Sequence, residues 1–290
     1  MTATTEVLVV TEPGVYPMTA DQYHADPVPG GSLSSSGARK LLPPSCPAVF
    51  HYEREHGQQP KRVFDLGHAA HRLVLGEGAD IVEIPYDSYL TKAAKAERDA
   101  ARFDGLTPLL TKEHEQVKAM ADAIRQHPIA GPLFTPDSGV AEQALFWTDG
   151  PAGITRRALV DWTKHRGTGR LILADYKTTT DASLTGIAKA VAEHGYHQQA
   201  AWYIDGAIAL DLGDQDTELV FVFQEKTAPY LVTVTQLTRD DIRRGREKNR
   251  RAIDIYANCT ASGVWPAYHD GVAITSLPPW AQIRHDEEYS

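Results

Sequence analysis

The stretch RLILADYKT, residues 170–178, joins an apolar run to two charged side chains that are two positions apart. This composition and alternation are typical of a β-strand. Successive side chains of a strand point to opposite faces, so Asp175 and Lys177 share one face and Tyr176 points to the other. An acid and a base side by side on one strand are the sharpest local feature of the sequence.

A second carboxylate lies on the preceding predicted strand, residues 152–162, which carries Asp161 near its end. The two acids are separated by 175 − 161 = 14 residues, with a turn at 165–169 between them. This spacing suits two antiparallel neighbours, with Asp161 beside Asp175. The alternative is a surface hairpin on which Asp175 and Lys177 form a solvated pair.

Two neighbouring carboxylates repel each other, which raises the pKa of one of them unless a cation is present. Mg²⁺ takes carboxylate oxygens, keeps several waters and binds phosphate oxygens. It also makes a bound water a better nucleophile. Asp161 and Asp175 are therefore candidate metal ligands for phosphate chemistry, and Lys177 could orient the water or neutralise the phosphate.

Two further candidates have simpler explanations as well. Glu142 lies at the start of a predicted strand over residues 141–148, where it could ligate a metal or face solvent. His71 follows Gly67 by four residues on a predicted helix, so the two share a face. His71 is a candidate ligand, a core histidine is the alternative, and His68 is its competitor.

Candidate DNA contacts occur on two predicted helices. Gln199 and Tyr203 are spaced i, i+4 on the first helix, so both could reach a phosphate or a base, although packing explains them equally well. The second helix, residues 238–256, carries a basic cluster that is either a phosphate-binding surface or a solvated face. Its members are Arg243, Arg244, Arg246, Lys248, Arg250 and Arg251.

The order of predicted elements is helices, three strands, a helix, two strands and a helix. This order predicts a mixed α/β (α+β) core with a helical N-terminal part. We expect residues 1–30 to form an irregular arm with at most one short strand. The main domain covers residues 31–262, and residues 263–290 form a tail without regular structure.

The composition excludes several classes of protein. The chain has 290 residues, 42% of them hydrophobic, and no apolar run long enough to span a membrane. Its two cysteines, Cys46 and Cys259, predict an intracellular protein without a disulfide framework or a four-cysteine iron–sulfur cluster. The short apolar run at residues 7–10 has no basic residue before it and is not expected to be a signal peptide. A net charge of −9 disfavours a wholly basic coat protein, but not a local basic channel.

Six short motifs, taken in order, resemble the PD-(D/E)XK nuclease superfamily. The likeness is closest to the phage-type RecE-like exonucleases, and lambda exonuclease and the RecB nuclease domain are more distant. Each motif is weak alone, and the resemblance rests on their common order between about residues 30 and 260. The motifs are LSSSG (33–37), GHAAH (67–71), EQALFW (142–147), VD (160–161), DYKTT (175–179) and YHQQAAWY (196–203).

The resemblance implies a restriction-endonuclease-like fold, with a mixed central β-sheet flanked by helices. It implies metal ligands at Asp161, Asp175 and His71 and a catalytic lysine at Lys177. Glu142 resembles an acid found before the first catalytic strand, and Gln199 and Tyr203 resemble a Q-x-x-x-Y pair that holds DNA.

Two positions depart from the family pattern. Val160 replaces the proline that gives the motif its name. Leu159 replaces an arginine that is common in this type, so Arg156 or Arg157 is the candidate for its phosphate contact.

The activity implied is Mg²⁺-dependent hydrolysis, with Mn²⁺ as a substitute, of linear double-stranded DNA in the 5′ to 3′ direction. The implied setting is phage-type recombination in the cytoplasm of a bacterial host, from a phage or prophage gene. Expected partners are DNA ends, a single-strand annealing protein and further copies in a ring, and no membrane. The alternatives are a structure-specific endonuclease or nickase on the same fold, and a catalytically silent DNA-binding module.

Overall fold

The computed structural model describes residues 8–57, 63–165, 167 and 169–290. Its strands are Gly14–Tyr16 (β1), Leu33–Ser34 (β2), Ile81–Ile84 (β3), Thr107–Leu110 (β4), Gly139–Asp149 (β5), Ile154–Lys164 (β6), Ile172–Thr179 (β7), Glu218–Glu225 (β8) and Val232–Gln236 (β9). Its helices are Ala20–His24 (α1), Ser35–Lys40 (α2), Pro47–His56 (α3), Val63–Leu75 (α4), Lys92–Phe103 (α5), Thr111–Gln126 (α6), Ala130–Leu133 (α7), Leu184–His194 (α8), Tyr196–Ala209 (α9), Arg239–Ser262 (α10) and Pro279–Tyr289 (α11). None of the helices in these ranges has the length and hydrophobicity needed to cross a membrane.

Seven strands form the central sheet, in the order β1-β5-β6-β7-β8-β9, with β2 added alongside β6. The β2–β6 and β7–β8 pairs are parallel, and the other neighbours are antiparallel. The predicted class, a mixed central sheet flanked by helices, is thereby confirmed.

The strands β6 and β7 separate soon after they meet. They share two register pairs, Trp162 with Ala174 and Thr163 with Leu173. Towards its start, β6 pairs with β2 instead. The next β6–β7 pair in this register would be Asp161 with Asp175, so both acids lie at the opening of the fork between the strands.

Helices cover the sheet on both faces and bury two main apolar clusters. On one face Trp202 of α9 and Tyr256 of α10 pack with Phe221 of β8. On the other face Met120 of α6 packs with Val222 of β8. Complete burial of one such large side chain contributes about 1.5–3 kcal/mol to the stability of the fold. The paired strands β7 and β8 are therefore fixed between the two helix layers.

A glycine divides the helical segment that the sequence predicts over residues 183–210. Gly195 adopts the left-handed conformation, with φ at 67°, and ends α8 through a hydrogen bond from its N–H to the carbonyl of Val191. Glycine adopts this conformation without steric cost. The chain changes direction there, and α9 begins at Tyr196 with its first turn against the end of β7.

Part of the predicted N-terminal arm is folded onto the sheet. Residues 1–7 lie outside the described range, but β1 pairs with β5 as an edge strand. Tyr23 of α1 is 5% exposed and packs edge-on against Phe146. Elements of three and five residues are too short to produce a periodic pattern, so the sequence predicted an irregular arm.

The C-terminal tail also differs from the sequence prediction. Trp265 packs against Phe50 and Tyr256, and this contact fixes the start of the tail. The chain then leaves the domain, and none of residues 266–290 is buried, although α11 is helical. Likewise, β3 and β4 form a small parallel sheet within a region predicted as helical, because four-residue strands carry too little pattern.

We predict that Gly245→Ala destabilises the protein, although alanine normally favours a helix. A Cβ atom at this position of α10 would lie 2.1 Å from the carbonyl oxygen of His197, so α10 would have to move away from α9. Overpacking of this kind lowers the free energy of unfolding by about 1–3 kcal/mol. Thermal unfolding measures the change, with Asn258→Ala on the exposed face of the same helix as the control. An increase in stability would contradict the close packing of α9 and α10.

Candidate active site

The fork between β6 and β7 brings the two predicted acids together in a buried position. Asp175 is completely buried, and the Asp161 side chain is 18% exposed. The Asp161 Oδ2 atom accepts a hydrogen bond of 2.9 Å from the backbone N–H of Tyr176. The Asp161 carboxylate thus accepts the N–H of Tyr176 in place of a backbone carbonyl of a neighbouring strand. The burial of Asp175 excludes the solvated surface hairpin.

Both oxygens of Asp175 have a partner. The Lys177 Nζ atom lies 2.5 Å from Oδ1, and the lysine side chain is 22% exposed. On the other side, Gln199 Nε2 donates a hydrogen bond of 2.5 Å to Oδ2. The shared strand face predicted for the acid and the lysine is therefore a direct ion pair, and α9 contributes the amide that fixes the carboxylate.

His71 connects Asp161 to the third predicted acid. Its Nε2 atom is 3.3 Å from Asp161 Oδ2, and its Nδ1 atom is 3.6 Å from Glu142 Oε1. Glu142 has φ at 46° within β5, a strained conformation for a residue other than glycine. It falls where the β5–β6 register lacks one pair, between Ala141 and Gln143.

The helix that carries His71 lies against β7. A Cβ atom built on Gly67 would be 3.7 Å from Thr178 Oγ1, which is an ordinary contact distance. The approach of α4 to β7 at this turn therefore does not depend on glycine. His68, the sequence competitor of His71, is exposed.

The pKa values in the site follow from burial and from the crowding of charges. Burial and the charge of Asp161 raise the pKa of Asp175 to about 6. Burial acts to lower the pKa of His71, but Asp161 and Glu142 outweigh it and the pKa lies above its ordinary value. Burial also opposes the charged form of Lys177, and the two aspartates raise its pKa nevertheless. The Lys177 ammonium group thus offsets part of the negative charge of the acids, and the same acids favour the protonated form of His71.

The predicted glutamine–tyrosine pair forms a chain of contacts behind Asp175. Gln199 contacts the carboxylate directly, and Tyr203 lies one turn later on α9. Tyr203 is 8% exposed, and burial raises its pKa well above the ordinary value, while a hydrogen bond with Gln199 acts in the opposite direction. The tyrosine therefore supports the glutamine from the interior.

The two predicted arginines of β6 contact groups other than the acids of the fork. Arg157 is 11% exposed and forms an ion pair with Asp26 of the arm. Its Nη1 atom also donates a hydrogen bond of 3.0 Å to Ser32 Oγ. Arg156 is stacked between the rings of Trp147 and Trp202.

Arg243 and Arg244 are about half exposed on α10 and pair with acids of the same helix. The close contact of Gly245 with His197 places them near the start of α9.

Tyr196 is a further member of the site that was not among the predicted site residues. The Lys177 Nζ atom lies 5.1 Å from the centre of the Tyr196 ring. The signal was available, because Tyr196 precedes Gln199 by three residues and so shares its helix face. Asp26, the partner of Arg157, had no such signal, because the pairing depends on how the arm folds.

The donor set fits a hard divalent cation. Within the described residues, no three His, Cys, Asp or Glu side chains are close enough to ligate one ion by themselves. Mg²⁺, however, commonly uses one or two protein carboxylates and completes its shell with waters and substrate phosphates. Asp161 and Asp175 supply such oxygens. Burial and the charge of Asp161 raise the pKa of Asp175, and an added cation would counter both effects.

Residues 34–277 match the model of a protein family described as "PDDEXK-like domain of unknown function (DUF3799)". No curated protein matches the chain. A crystal structure from Eubacterium rectale described as a "putative exonuclease" has a TM-score of 0.57 at 10% identity, covering 92% of this chain and 98% of its own. At this identity the likeness shows the fold alone. A structure described as SSO0001 has 12% identity over 72% of this chain and 97% of its own, and its TM-score of 0.29 carries no argument.

We predict that binding of Mg²⁺ or Mn²⁺ weakens as the pH falls through about 6. A carboxyl group must lose its proton to bind a cation, and the pKa of Asp175 is raised to about 6. Protons therefore compete with the metal below that pH, and the competition disappears above it. Calorimetric titration between about pH 5 and pH 8 measures the effect, with Asp87→Asn, at an exposed acid, as the control. An affinity that does not change across this range would contradict the assignment of Asp175.

Proposed function

The chain belongs to the PDDEXK-like DUF3799 family, and from this we propose that it is a metal-dependent deoxyribonuclease that degrades linear double-stranded DNA from its ends. One observation carries the proposal. Asp161 and Asp175 lie together at the fork of β6 and β7, with Lys177 2.5 Å from Asp175. Paired acids with a neighbouring lysine can hold a divalent cation and a charged donor at one phosphodiester.

Asp161 and Asp175 would hold the metal, and His71 and Glu142 complete its surroundings. When bound, Mg²⁺ supplies positive charge to the phosphate and lowers the pKa of a coordinated water. The chain's own groups do the positioning. Gln199 fixes one oxygen of Asp175, and Lys177 remains protonated, so it acts as a cation and hydrogen-bond donor.

The reaction is an in-line displacement at phosphorus. The water oxygen forms a bond to phosphorus while the bond from phosphorus to the 3′ oxygen breaks. The attacking water loses a proton to solvent, and the departing 3′ oxygen takes up a proton from solvent. One product keeps a 5′-phosphate and the other a 3′-hydroxyl group. Lys177 orients the water and stabilises the charge that develops on the phosphate oxygens.

The exonuclease mode, the 5′ to 3′ direction and the setting in phage-type recombination belong to the same proposal. All three are supported by the six ordered motifs, and the exonuclease mode also by the described name of the Eubacterium rectale neighbour. We also propose a ring of several copies that works with a single-strand annealing protein in the host cytoplasm. The exposed tail supports further copies, because Leu277, Trp280 and Ile283 are each more than half exposed.

We predict that the protein, with Mg²⁺, releases nucleotides from end-labelled linear duplex DNA and leaves closed circular DNA intact. The chelated sample, Lys177→Ala and Asp175→Ala should each lose the activity, because the first lacks the cation and the variants lack its partner groups. Gel analysis of DNA labelled at either end also gives the direction. Lys112→Ala, at a lysine whose side chain is 82% exposed, is the matched control.

Any other result of this nuclease assay would favour a different function or a different site. Cleavage of closed circles would favour a structure-specific endonuclease or nickase. Metal binding without hydrolysis of either substrate would favour a silent DNA-binding module. Full activity of both site variants in clean preparations would overturn the site itself.

We predict that Arg243→Ala and Arg244→Ala each weaken DNA binding to a similar extent for all sequences. Both arginines are exposed near the start of α9, where a DNA backbone approaching Gln199 would pass. Each lost phosphate contact should reduce the slope of log affinity against log salt by about 1. Binding of DNA to the protein in Ca²⁺ or chelator at several salt concentrations measures the slope. An unchanged slope would assign these arginines to pairing within α10 alone.

A further inference from the structure

The proposed reaction leaves one contact of the lysine unexplained. The Lys177 ammonium group has the Asp175 carboxylate on one side and the face of the Tyr196 ring, 5.1 Å away, on the other. A cation within about 6 Å of an aromatic ring centre is attracted by the negative face of the ring. The ring is therefore an electrostatic partner of the ammonium group as well as a wall of the site.

The position of this ring is fixed by packing. Tyr196 is the first residue of α9, and its ring centre lies 5.5 Å from that of Phe221 and 5.8 Å from that of Phe223. In the β7–β8 register, Phe221 is level with Asp175 and Phe223 with Lys177. The three rings thus form a continuous aromatic surface along the two catalytic positions of β7.

Lys177 needs a second partner because Asp175, its first partner, is also a proposed ligand of the metal. The ion pair with Asp175 occupies an oxygen that the proposed metal would take. Without another attraction, the flexible four-carbon side chain of Lys177 could follow any of the nearby charges. The ring face attracts the ammonium group from outside the cluster of acids, so it restricts the lysine to the edge of that cluster.

We propose that Tyr196 is a positioning residue that holds the Lys177 ammonium group at the phosphate by a cation–π contact. This inference rests on the proposed nuclease function. The contact requires the ring face and not the hydroxyl group, so phenylalanine should replace tyrosine and an aliphatic residue should not. Because the ring acts through the lysine, its loss lowers kcat and leaves KM for DNA nearly unchanged.

The test compares Tyr196→Phe, Tyr196→Leu and a series of fluorinated phenylalanines placed at position 196. Tyr196→Phe should keep kcat within about threefold of the wild type, whereas Tyr196→Leu should lower it by about 3- to 30-fold. Fluorine changes the ring size little but weakens its negative face, so kcat should fall step by step with each added fluorine. A role in packing alone predicts no such trend, and the fluorinated series remains informative if Tyr196→Leu does not fold.

A second readout does not depend on activity or on metal. In the metal-free protein, the ε-methylene protons of Lys177 should show a ring-current shift in NMR spectra, with Lys177→Ala identifying the signal. The shift should persist in Tyr196→Phe and disappear in Tyr196→Leu. A wild-type protein without nuclease activity would overturn the proposed function but leave this contact testable. Unchanged kcat across the fluorinated series, or no shift in the wild type, would overturn the positioning role.

Discussion

The burial of two carboxylates at the point where β6 and β7 separate is the constraint on which the site depends. Like charges in a buried position are unfavourable unless cations and hydrogen-bond donors surround them. Lys177, His71 and Gln199 provide these groups from β7, α4 and α9. The three elements must therefore meet at the fork, and their apolar faces hold them there.

The fork arises because two different strands, β2 and β7, pair with the same edge of β6. β2 takes the start of that edge in parallel and β7 takes the end in antiparallel orientation. Between them, the Asp161 side chain accepts the N–H of Tyr176 in place of a backbone carbonyl. This gap in the backbone hydrogen bonding leaves room for side chains that a continuous sheet would exclude. The site therefore lies at the point where the pairing of β6 and β7 is interrupted.

Much of the fold followed from local patterns, and most of the elements that were not predicted are too short to carry such a pattern. The alternation over residues 170–178 predicted β7, and the helical spacing over residues 183–210 predicted the segment that the structure divides into α8 and α9. By contrast, β1, β2 and α1 are too short to show periodicity, and they form because the sheet and Tyr23 provide partners. The helix α11 was missed for a different reason, since prolines precede it and no apolar face of it is buried.

The candidate site divides in the same way. The sequence by itself determined that Asp175 and Lys177 share a face and that Gln199 and Tyr203 share another, because strand and helix periods fix these relations within one element. It also suggested that Asp161 lies beside Asp175, because a short turn joins their strands. Only the tertiary structure decided that Arg157 pairs with Asp26 and that the Tyr196 ring faces Lys177. Such contacts join distant parts of the chain, and their geometry exists only after the sheet and both helix layers have packed together.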